Sequence, residues 1–159
     1  MTPKEQVHTH LSDYHISFQE FIHPALFTVE QAKEWEDKIA WTHTKNIFIR
    51  DKKGNYYLIT LLAQKKLDAK MFKLQSNIKD FSFATPEQLR EQLKLTPGSV
   101  GIFGLINNPS IKLYIDQDVW QSEHIGRHPN DNTATLVLTK KWLSDYLTSL
   151  SINYQIVIL

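Results

Sequence analysis

The sequence contains no cysteine among its 159 residues. Disulfide frameworks, cysteine-ligated metal sites and cysteine nucleophiles are therefore excluded. Stability does not require disulfide bonds or structural metal sites, because a chain of this length removes roughly 70% of its unfolded surface from water when it folds. The absence of cysteine is compatible with a reducing compartment.

Long apolar runs are also absent. The longest ones, residues 56–63 and 100–106, fall far short of the roughly 18 residues that indicate a membrane span. Residues 1–6 lack the basic start and apolar middle of a secretory signal. We therefore expect a cytoplasmic protein without membrane contact.

Neither sign of charge is in large excess, since 18 Lys and Arg face 17 Asp and Glu. This balance disfavours a DNA-binding protein or any protein that holds nucleic acid by bulk electrostatics, while a local RNA contact stays possible. Five lysines cluster near Asp68 and Asp80: Lys65, Lys66, Lys70, Lys73 and Lys79. Two interpretations are open for them, a solvated helix face and a phosphate-contacting rim.

The common catalytic signatures are missing as well. There is no Gly-x-Ser-x-Gly elbow, no phosphate-binding loop and no dinucleotide fingerprint. The chain has seven histidines, but positions 8 and 10 project about 200° apart on a helix. The pair His124 and His128 matches no metal-binding motif either. We expect neither a metal nor another cofactor.

Three segments carry the helix start signal of Thr followed three residues later by Glu or Gln: 2–5, 28–31 and 85–88. Apolar residues recur at helical spacing behind each of them, which predicts three amphipathic helices. Thr139 as N-cap predicts a fourth helix over 140–150, and a short fifth is expected over 67–74.

Strands are predicted from β-branched and aromatic runs between these helices. Residues 51–55 should form a hairpin between the first two of the predicted strands that follow residue 40, and 107–110 should join the next pair. Several runs are apolar at odd and even positions, which is typical of a sheet covered on both faces. We therefore expect one mixed α/β domain over 1–159. The predicted strands are 17–22, 46–50, 56–63, 100–106, 111–115, 133–138 and 154–159.

Two polar segments at predicted strand ends, 41–51 and 126–135, can be interpreted as turns or as pocket-forming residues. Together with 97–107, they resemble the freestanding relatives of the bacterial prolyl-tRNA synthetase editing domain, the YbaK/ProRS-associated domain. The resemblance covers residues 20–159 and is strongest to the branch that deacylates alanyl-tRNA(Pro). It implies a mixed, strongly curved, barrel-like β-sheet flanked by helices, and hydrolysis of mischarged tRNA(Pro) in trans.

The resemblance also implies roles for individual residues. Lys45 matches a principal functional lysine and would contact the aminoacyl ester or the terminal adenosine. Asn46 would orient a substrate hydroxyl or carbonyl, His128 would bind substrate or water, and Gly98 would belong to the catalytic loop. The acceptor end of mischarged tRNA(Pro) would be the partner, with prolyl-tRNA synthetase as a further one. The implied substrate-binding residues are Ser99, Val100, Gly101, Ile102, Phe103, Gly104, Asn132 and Thr133.

One position departs from the family pattern. The glycine loop normally reads Gly-x-x-x-Pro, and here Ile102 stands where proline is expected. Isoleucine restores a backbone N–H and removes the proline constraint on φ. Two alternatives to an alanyl-specific enzyme follow: a deacylase for another small residue such as cysteine or serine, and a module that binds the tRNA end without turnover.

Overall fold

The computed structural model describes residues 1–23, 41–130 and 133–159. The second capping box at 28–31, the helix predicted behind it and Asn132 lie outside these residues. Within them the helices are α1 (Pro3–Asp13), α2 (Ala69–Ser76), α3 (Pro86–Leu93), α4 (Gln117–Trp120), α5 (Lys140–Ser149) and a 3-10 helix (Ile102–Ile106). The strands are β1 (Gln19–Ile22), β2 (Thr42–Asp51), β3 (Tyr56–Leu62), β4 (Phe81–Phe83), β5 (Lys112–Asp116), β6 (His124–Arg127), β7 (Ala134–Thr139) and β8 (Tyr154–Val157).

The helix starts follow the capping signals in the sequence. Thr2 Oγ1 accepts from the Glu5 amide at 3.1 Å, while Glu5 Oε2 accepts from the Thr2 amide at 2.7 Å. The same reciprocal box opens α3 at Thr85. Thr139 caps α5, and Asp68 caps the short helix expected in this region. These four predicted helices are confirmed because local side-chain to backbone bonds decide where each begins.

The described strands form one mixed sheet of eight in the order β1-β7-β6-β2-β3-β5-β8, with β4 also paired to β2. Strand β2 is antiparallel to β3 along most of its length. On its other edge it pairs with β6 only at Thr42 and His43, and with β4 only from Ile49. On that edge, residues 44–47 have no described strand neighbour. We call this stretch the β2 gap. The mixed α/β class is confirmed, and the sheet is not closed into a barrel.

Residues 100–106 do not form the predicted strand. Gly101 is extended with φ −166°, and a 3-10 helix follows it. The side chains of Ile102, Phe103 and Leu105 are buried in the core. A short, wholly apolar run carries no periodicity that separates a strand from a buried helical turn, which explains the wrong prediction. The turn at 107–110 consequently joins a 3-10 helix to β5, whereas the predicted hairpin at 51–55 does join β2 and β3.

Both faces of the sheet are covered, as the apolar runs predicted. The larger core cluster includes Leu58, Leu136 and Tyr146 and lies on one face. A smaller cluster around Ile59, Leu61 and Phe72 lies on the other face under α2. No helix in the described parts of the chain has the length and apolar character needed to cross a membrane.

Candidate active site

Lys45 and Asn46 lie next to each other on β2 and project from opposite faces of the sheet, because side chains alternate along a strand. Lys45 stands beside Leu61, and Asn46 stands beside Thr60. Asn46 thus faces the larger core cluster, and Lys45 faces the smaller one. The Lys45 side chain is half-buried and makes no hydrogen bond or ion pair with any described residue. Its ammonium group is therefore available to a ligand.

Arg127 fills the β2 gap from the end of β6. Its Nη1 donates to the Thr44 carbonyl oxygen at 2.9 Å, and its Nη2 donates to the Val100 carbonyl oxygen. With the Asn46 amide oriented so that its oxygen faces the guanidinium, Oδ1 accepts from Arg127 Nε at 2.6 Å and from Nη2 at 3.1 Å. In that orientation Nδ2 of Asn46 donates to Thr60 Oγ1 at 3.3 Å. One guanidinium group thus joins β2, Asn46 and the glycine loop.

The positive charge of Arg127 has no carboxylate partner among the described residues. Burial lowers the pKa of its guanidinium to about 10, so the group stays protonated at neutral pH. The three oxygens that surround it are neutral carbonyl and amide dipoles. Its charge is therefore not cancelled locally, and it adds positive potential beside the glycine loop.

The glycine loop, residues 98–101, contacts Arg127 through its backbone. A Cβ placed on Gly101 would lie 3.1 Å from Arg127 Nε, so the guanidinium group packs against this residue. Gly98 has φ +92°, a conformation that favours glycine, and it is exposed, with no atom of a described residue within 4 Å of its Cβ position. Ser99 is half-buried, and its amide donates to the Thr96 carbonyl oxygen at 3.1 Å. The structure thereby brings the predicted loop to Asn46.

The next part of the predicted substrate-binding segment contributes to the core. Ile102 and Phe103 are 2% and 0% exposed, and a Cβ on Gly104 would meet Leu95 Cδ1 at 2.6 Å. Tyr146 Oη donates to the Ile102 carbonyl oxygen at 2.8 Å, which ties the 3-10 helix to α5. The side chains at 102 and 103 therefore serve packing, and only their backbone is left to contact a substrate.

His128 follows β6 and forms a ring pair with His23, which follows β1. Its Nδ1 lies 2.7 Å from the Ala134 carbonyl oxygen, so Nδ1 carries a proton and donates it. The His128 ring lies edge-on to that of His23, with 5.6 Å between ring centroids. His23 is buried, its Nε2 lies 2.8 Å from Thr135 Oγ1, and its amide donates to the Thr133 carbonyl oxygen at 2.8 Å. The described contacts thus place His128 beside His23 and the start of β7.

Sequence reasoning assigned no role to Arg127, His23 or Asn130. Asn130 has φ +60° and is 7% exposed, and its Nδ2 donates to the Phe103 carbonyl oxygen at 3.3 Å. Its Oδ1 is buried and has no hydrogen-bond partner among the residues that the structure describes. The sequence marked Arg127 only as a positively charged residue within the polar segment 126–135 at the end of a predicted strand. Its contacts could not be read from the sequence, because they depend on residues far away in the chain.

Trp41 packs over Gly126 where β6 meets β2, and this contact supports a stability prediction. A Cβ at position 126 would lie 2.2 Å from Trp41 Nε1 and 2.3 Å from Cδ1. We expect Gly126→Ala to lower the free energy of unfolding by about 1–3 kcal/mol through overpacking. Chemical denaturation measures this loss. In a Trp41→Ala background the same substitution should cost little, and an equal cost in both backgrounds would contradict the assigned clash.

The described residues contain no group of three or more His, Asp or Glu side chains arranged to hold a metal ion.

Known proteins include relatives of this chain. A family model described as the aminoacyl-tRNA editing domain matches residues 23–146. The matched segment contains Lys45, Asn46, the glycine loop, Arg127 and His128. The prolyl-tRNA editing protein ProX of Acetoanaerobium sticklandii is 30% identical over 142 residues, covering 87% of each chain. The prolyl-tRNA synthetase associated domain-containing protein 1 of Mus musculus is 28% identical over 123 residues, covering 74% of this chain and 73% of its own.

Solved structures show the same fold. One crystal structure, described provisionally as a trans-editing enzyme for prolyl tRNA synthetase, superposes with a TM-score of 0.76 at 19% identity. The match covers 100% of this chain and 98% of the other. The family model spans most of the chain and includes the residues that surround Arg127. The protein therefore belongs to the aminoacyl-tRNA editing domain family.

Proposed function

We propose that the protein is a trans-editing aminoacyl-tRNA deacylase that hydrolyses mischarged tRNA(Pro), with Ala-tRNA(Pro) as its preferred substrate. The observation that carries this proposal is the junction at Arg127, where Asn46 and the glycine loop meet in a domain of the editing family. The similarity to a prolyl-tRNA editing protein supports proline tRNA as the carrier.

The chemistry of proline selection supports alanine as the acyl group. A synthetase pocket shaped for proline cannot strongly exclude a smaller amino acid, because each missing methylene gives only about 1–3 kcal/mol of discrimination. A second site that admits the alanyl ester and excludes the prolyl ester by steric clash removes these errors. A loop held close to β2 by Arg127 is suited to set that size limit.

In the reaction, water attacks the ester carbonyl carbon and the bond to the ribose oxygen breaks. The ribose oxygen takes a proton, and free amino acid and tRNA are released. Lys45 projects from the face of β2 opposite to Asn46, so its proposed role is to supply a cation for the terminal nucleotide. The ester is already reactive, so orientation and electrostatic stabilisation suffice, and the proposed reaction uses no metal.

The hydrogen bonds of Asn46 and His128 define what each can offer a substrate. Both acceptor positions of Asn46 Oδ1 are taken by Arg127, and one Nδ2 hydrogen goes to Thr60. Its second Nδ2 hydrogen is left to donate to a substrate carbonyl. The Nδ1–H of His128 is held by the Ala134 carbonyl oxygen, and the proposed role of the ring is the one that the resemblance implies, a hydrogen bond to substrate or water.

A deacylation assay with purified protein tests the function. We expect fast release of alanine from Ala-tRNA(Pro), slower release of serine or cysteine from the same tRNA, and no release from Pro-tRNA(Pro). Faster hydrolysis of the seryl or cysteinyl ester would replace alanine in the proposal. Inactivity on every small aminoacyl ester, combined with binding of the tRNA, would favour the alternative of a binding module.

The isoleucine at position 102 provides a test of loop geometry. Proline fits this position, because it is the first residue of the 3-10 helix and the preceding Gly101 is extended with φ −166°. We expect Ile102→Pro to raise deacylation or to shift the preference among alanyl, seryl and cysteinyl esters. Ile102→Val is the control, since it trims the side chain but keeps the N–H. An unchanged activity profile in Ile102→Pro would contradict a role for this residue in specificity.

We also propose that the protein works as a single editing domain in the cytoplasm. Its partner there is the acceptor end of mischarged tRNA(Pro), with prolyl-tRNA synthetase as the source of the error and a further partner. Co-purification of the synthetase with this protein in the presence of tRNA(Pro) tests the second partner.

A further inference from the structure

Six lysines line two adjoining cavities on the far side of the sheet from the Arg127 junction. One cavity has a volume of about 570 Å³ and the other about 880 Å³, and both are lined by Asn77 and Lys79. We call this surface the lysine groove. Its cations come from the β2–β3 turn, from α2 and the segment after it, and from β5. They are Lys52, Lys53, Lys70, Lys73, Lys79 and Lys112.

The groove concentrates positive charge in a nearly neutral chain. Its walls hold six lysines and two aspartates, which leaves a surplus of four positive charges. The whole chain has a net charge of +1, so the rest of the molecule is net negative by three. A solvated helix face would draw its lysines from one element, whereas three separate parts of the chain supply these. The charge is therefore a property of the folded surface.

Most of this charge is not neutralised inside the groove. Lys52 forms an ion pair with Asp80 at 2.9 Å. The exposed side chains of Lys53, Lys70 and Lys79 make no ion pair with any described residue. Lys73 and Lys112 lie over aromatic rings, with Nζ 5.7 Å and 4.9 Å from the centroids of Phe81 and Tyr114 respectively.

The second aspartate, Asp51, is engaged by groups that are not cations. It accepts from the amides of Lys53 and Asn55 at 2.9 Å and from Tyr57 Oη at 3.0 Å. These hydrogen bonds hold the pKa of the Asp51 carboxyl below its usual value. The Asp51 carboxylate is thus held by hydrogen bonds within the β2–β3 turn. Lys53, Lys70 and Lys79 are left for an anionic ligand.

The lysine run noted in the sequence separates into two parts in the fold. Lys65 contacts Asp116 at 2.8 Å and Asp118 at 2.6 Å, so it is a structural cation outside the groove. Lys70, Lys73 and Lys79 join lysines that lie far from them in sequence. This arrangement favours the phosphate-contacting interpretation of the run, because a solvated helix face does not require its lysines to converge on a cavity shared with distant parts of the chain.

We propose that the lysine groove binds the phosphate backbone of the helical stem of the tRNA substrate, an inference that rests on the proposed deacylase function. An extended polyanion fits the groove, because the unpaired cations line both cavities. Lysine ammonium groups bind phosphates as point charges and read no sequence. The groove therefore adds affinity for the RNA and does not select the amino acid.

The position of the groove along β2 fits a stem contact. Lys45 and Lys52 are seven residues apart, which corresponds to roughly 23 Å of extended strand. Tyr57 and Tyr114 at the groove lie on the same face of the sheet as Lys45. A tRNA stem is an A-form RNA duplex, and this distance spans several of its base-pair steps. The lysines would thus meet backbone well away from the ester.

The test compares two triple variants that remove the same charge. Lys53→Gln, Lys70→Gln and Lys79→Gln together remove the unpaired cations of the groove. The matched control combines Lys94→Gln, Lys140→Gln and Lys141→Gln, none of which lines either cavity. Binding of uncharged tRNA(Pro) is measured by fluorescence anisotropy at several salt concentrations. Because this measurement does not depend on hydrolysis, it separates the two proposals. An inactive wild type would overturn the proposed function, and the binding measurement would still test the lysine groove.

We expect the groove variant to lose at least about tenfold in affinity and the slope of log K against log salt to fall by about three, about one for each phosphate contact. The control should stay within about twofold of wild type. The single variant Lys53→Gln, at an exposed turn position, should lower the slope by about one and serves if the triple variant does not fold. Equal losses in groove and control variants would overturn the proposal. Wild-type binding to phosphatidylserine vesicles and not to tRNA would also overturn it.

Discussion

Replacing Arg127 by methionine is expected to reduce deacylation of Ala-tRNA(Pro) by about a hundredfold. The substitution removes the donors for the carbonyl oxygens of Thr44 and Val100 and for Asn46 Oδ1. The glycine loop and the side-chain amide of Asn46 are then no longer held in a fixed position relative to each other. A displacement of about 1 Å can cost about a hundredfold in rate. Single-turnover kinetics with the purified variant measure this loss.

Arg127→Lys separates geometry from charge. Lysine keeps the positive charge but lacks the planar fork that bridges several oxygens at once. We expect it to recover only part of the activity, about tenfold above Arg127→Met. Full recovery would show that charge alone matters and would contradict the positioning role.

A purely structural role for Arg127 would change stability without changing selectivity. Unpaired buried acceptors cost about 1–3 kcal/mol each, a loss that is partly offset because the buried cation is also removed. We therefore measure the ratio of alanyl to seryl hydrolysis alongside the free energy of unfolding. A positioning residue predicts a changed ratio in the folded variant. An unchanged ratio, with activity lost only in proportion to the unfolded fraction, would assign Arg127 to folding alone.

Lys45→Ala is expected to lower deacylation by a factor of about 10² to 10³, the range seen when one electrostatic donor is removed from an active site. The fold should be unaffected, because the Lys45 ammonium makes no hydrogen bond or ion pair with the described residues. Activity and thermal unfolding are measured on the same preparation. The expected result is lost turnover with an unchanged Tm.

Lys94→Ala is the matched control for this experiment. Lys94 is an exposed lysine that follows α3 and lies outside both β2 and the glycine loop. It should keep wild-type activity. If Lys45→Ala retains activity within about twofold of the control, the proposed contact with the terminal nucleotide is wrong. A parallel fall in Tm would indicate that Lys45 supports the fold.

The local parts of the fold were predictable from the sequence. Capping boxes at Thr2 and Thr85 specify helix starts through bonds within four residues, and the turn at 51–55 specifies its hairpin in the same way. Strands β4 and β6 were missed because Phe-Ser-Phe is too short, and His-Ile-Gly-Arg too polar and glycine-containing, to form a β-branched or aromatic run. They are strands because distant segments pair with them, which no local pattern marks.

The candidate site was only partly predictable for the same reason. The importance of the segment around Lys45 and Asn46 was predicted from the resemblance, but the alternation of β2 sends the two side chains to opposite faces. The role of Arg127 depends on the β2 gap, which exists because β6 and β4 occupy different ends of the same edge. A lone arginine in a polar segment carries no sign of that arrangement.

The long sequence separation between β2 and its partners also determines when the site can form during synthesis of the chain. Arg127 reaches Thr44 across 83 positions of sequence, and β1 waits for β7, which begins at Ala134. When a nascent chain has left the ribosome only as far as β5, it contains the hairpin of β2 and β3. It still lacks Arg127, whose guanidinium fills the β2 gap. Hydrolytic competence should therefore arise late, after β7 emerges, and shorter translation intermediates should be inert towards charged tRNA.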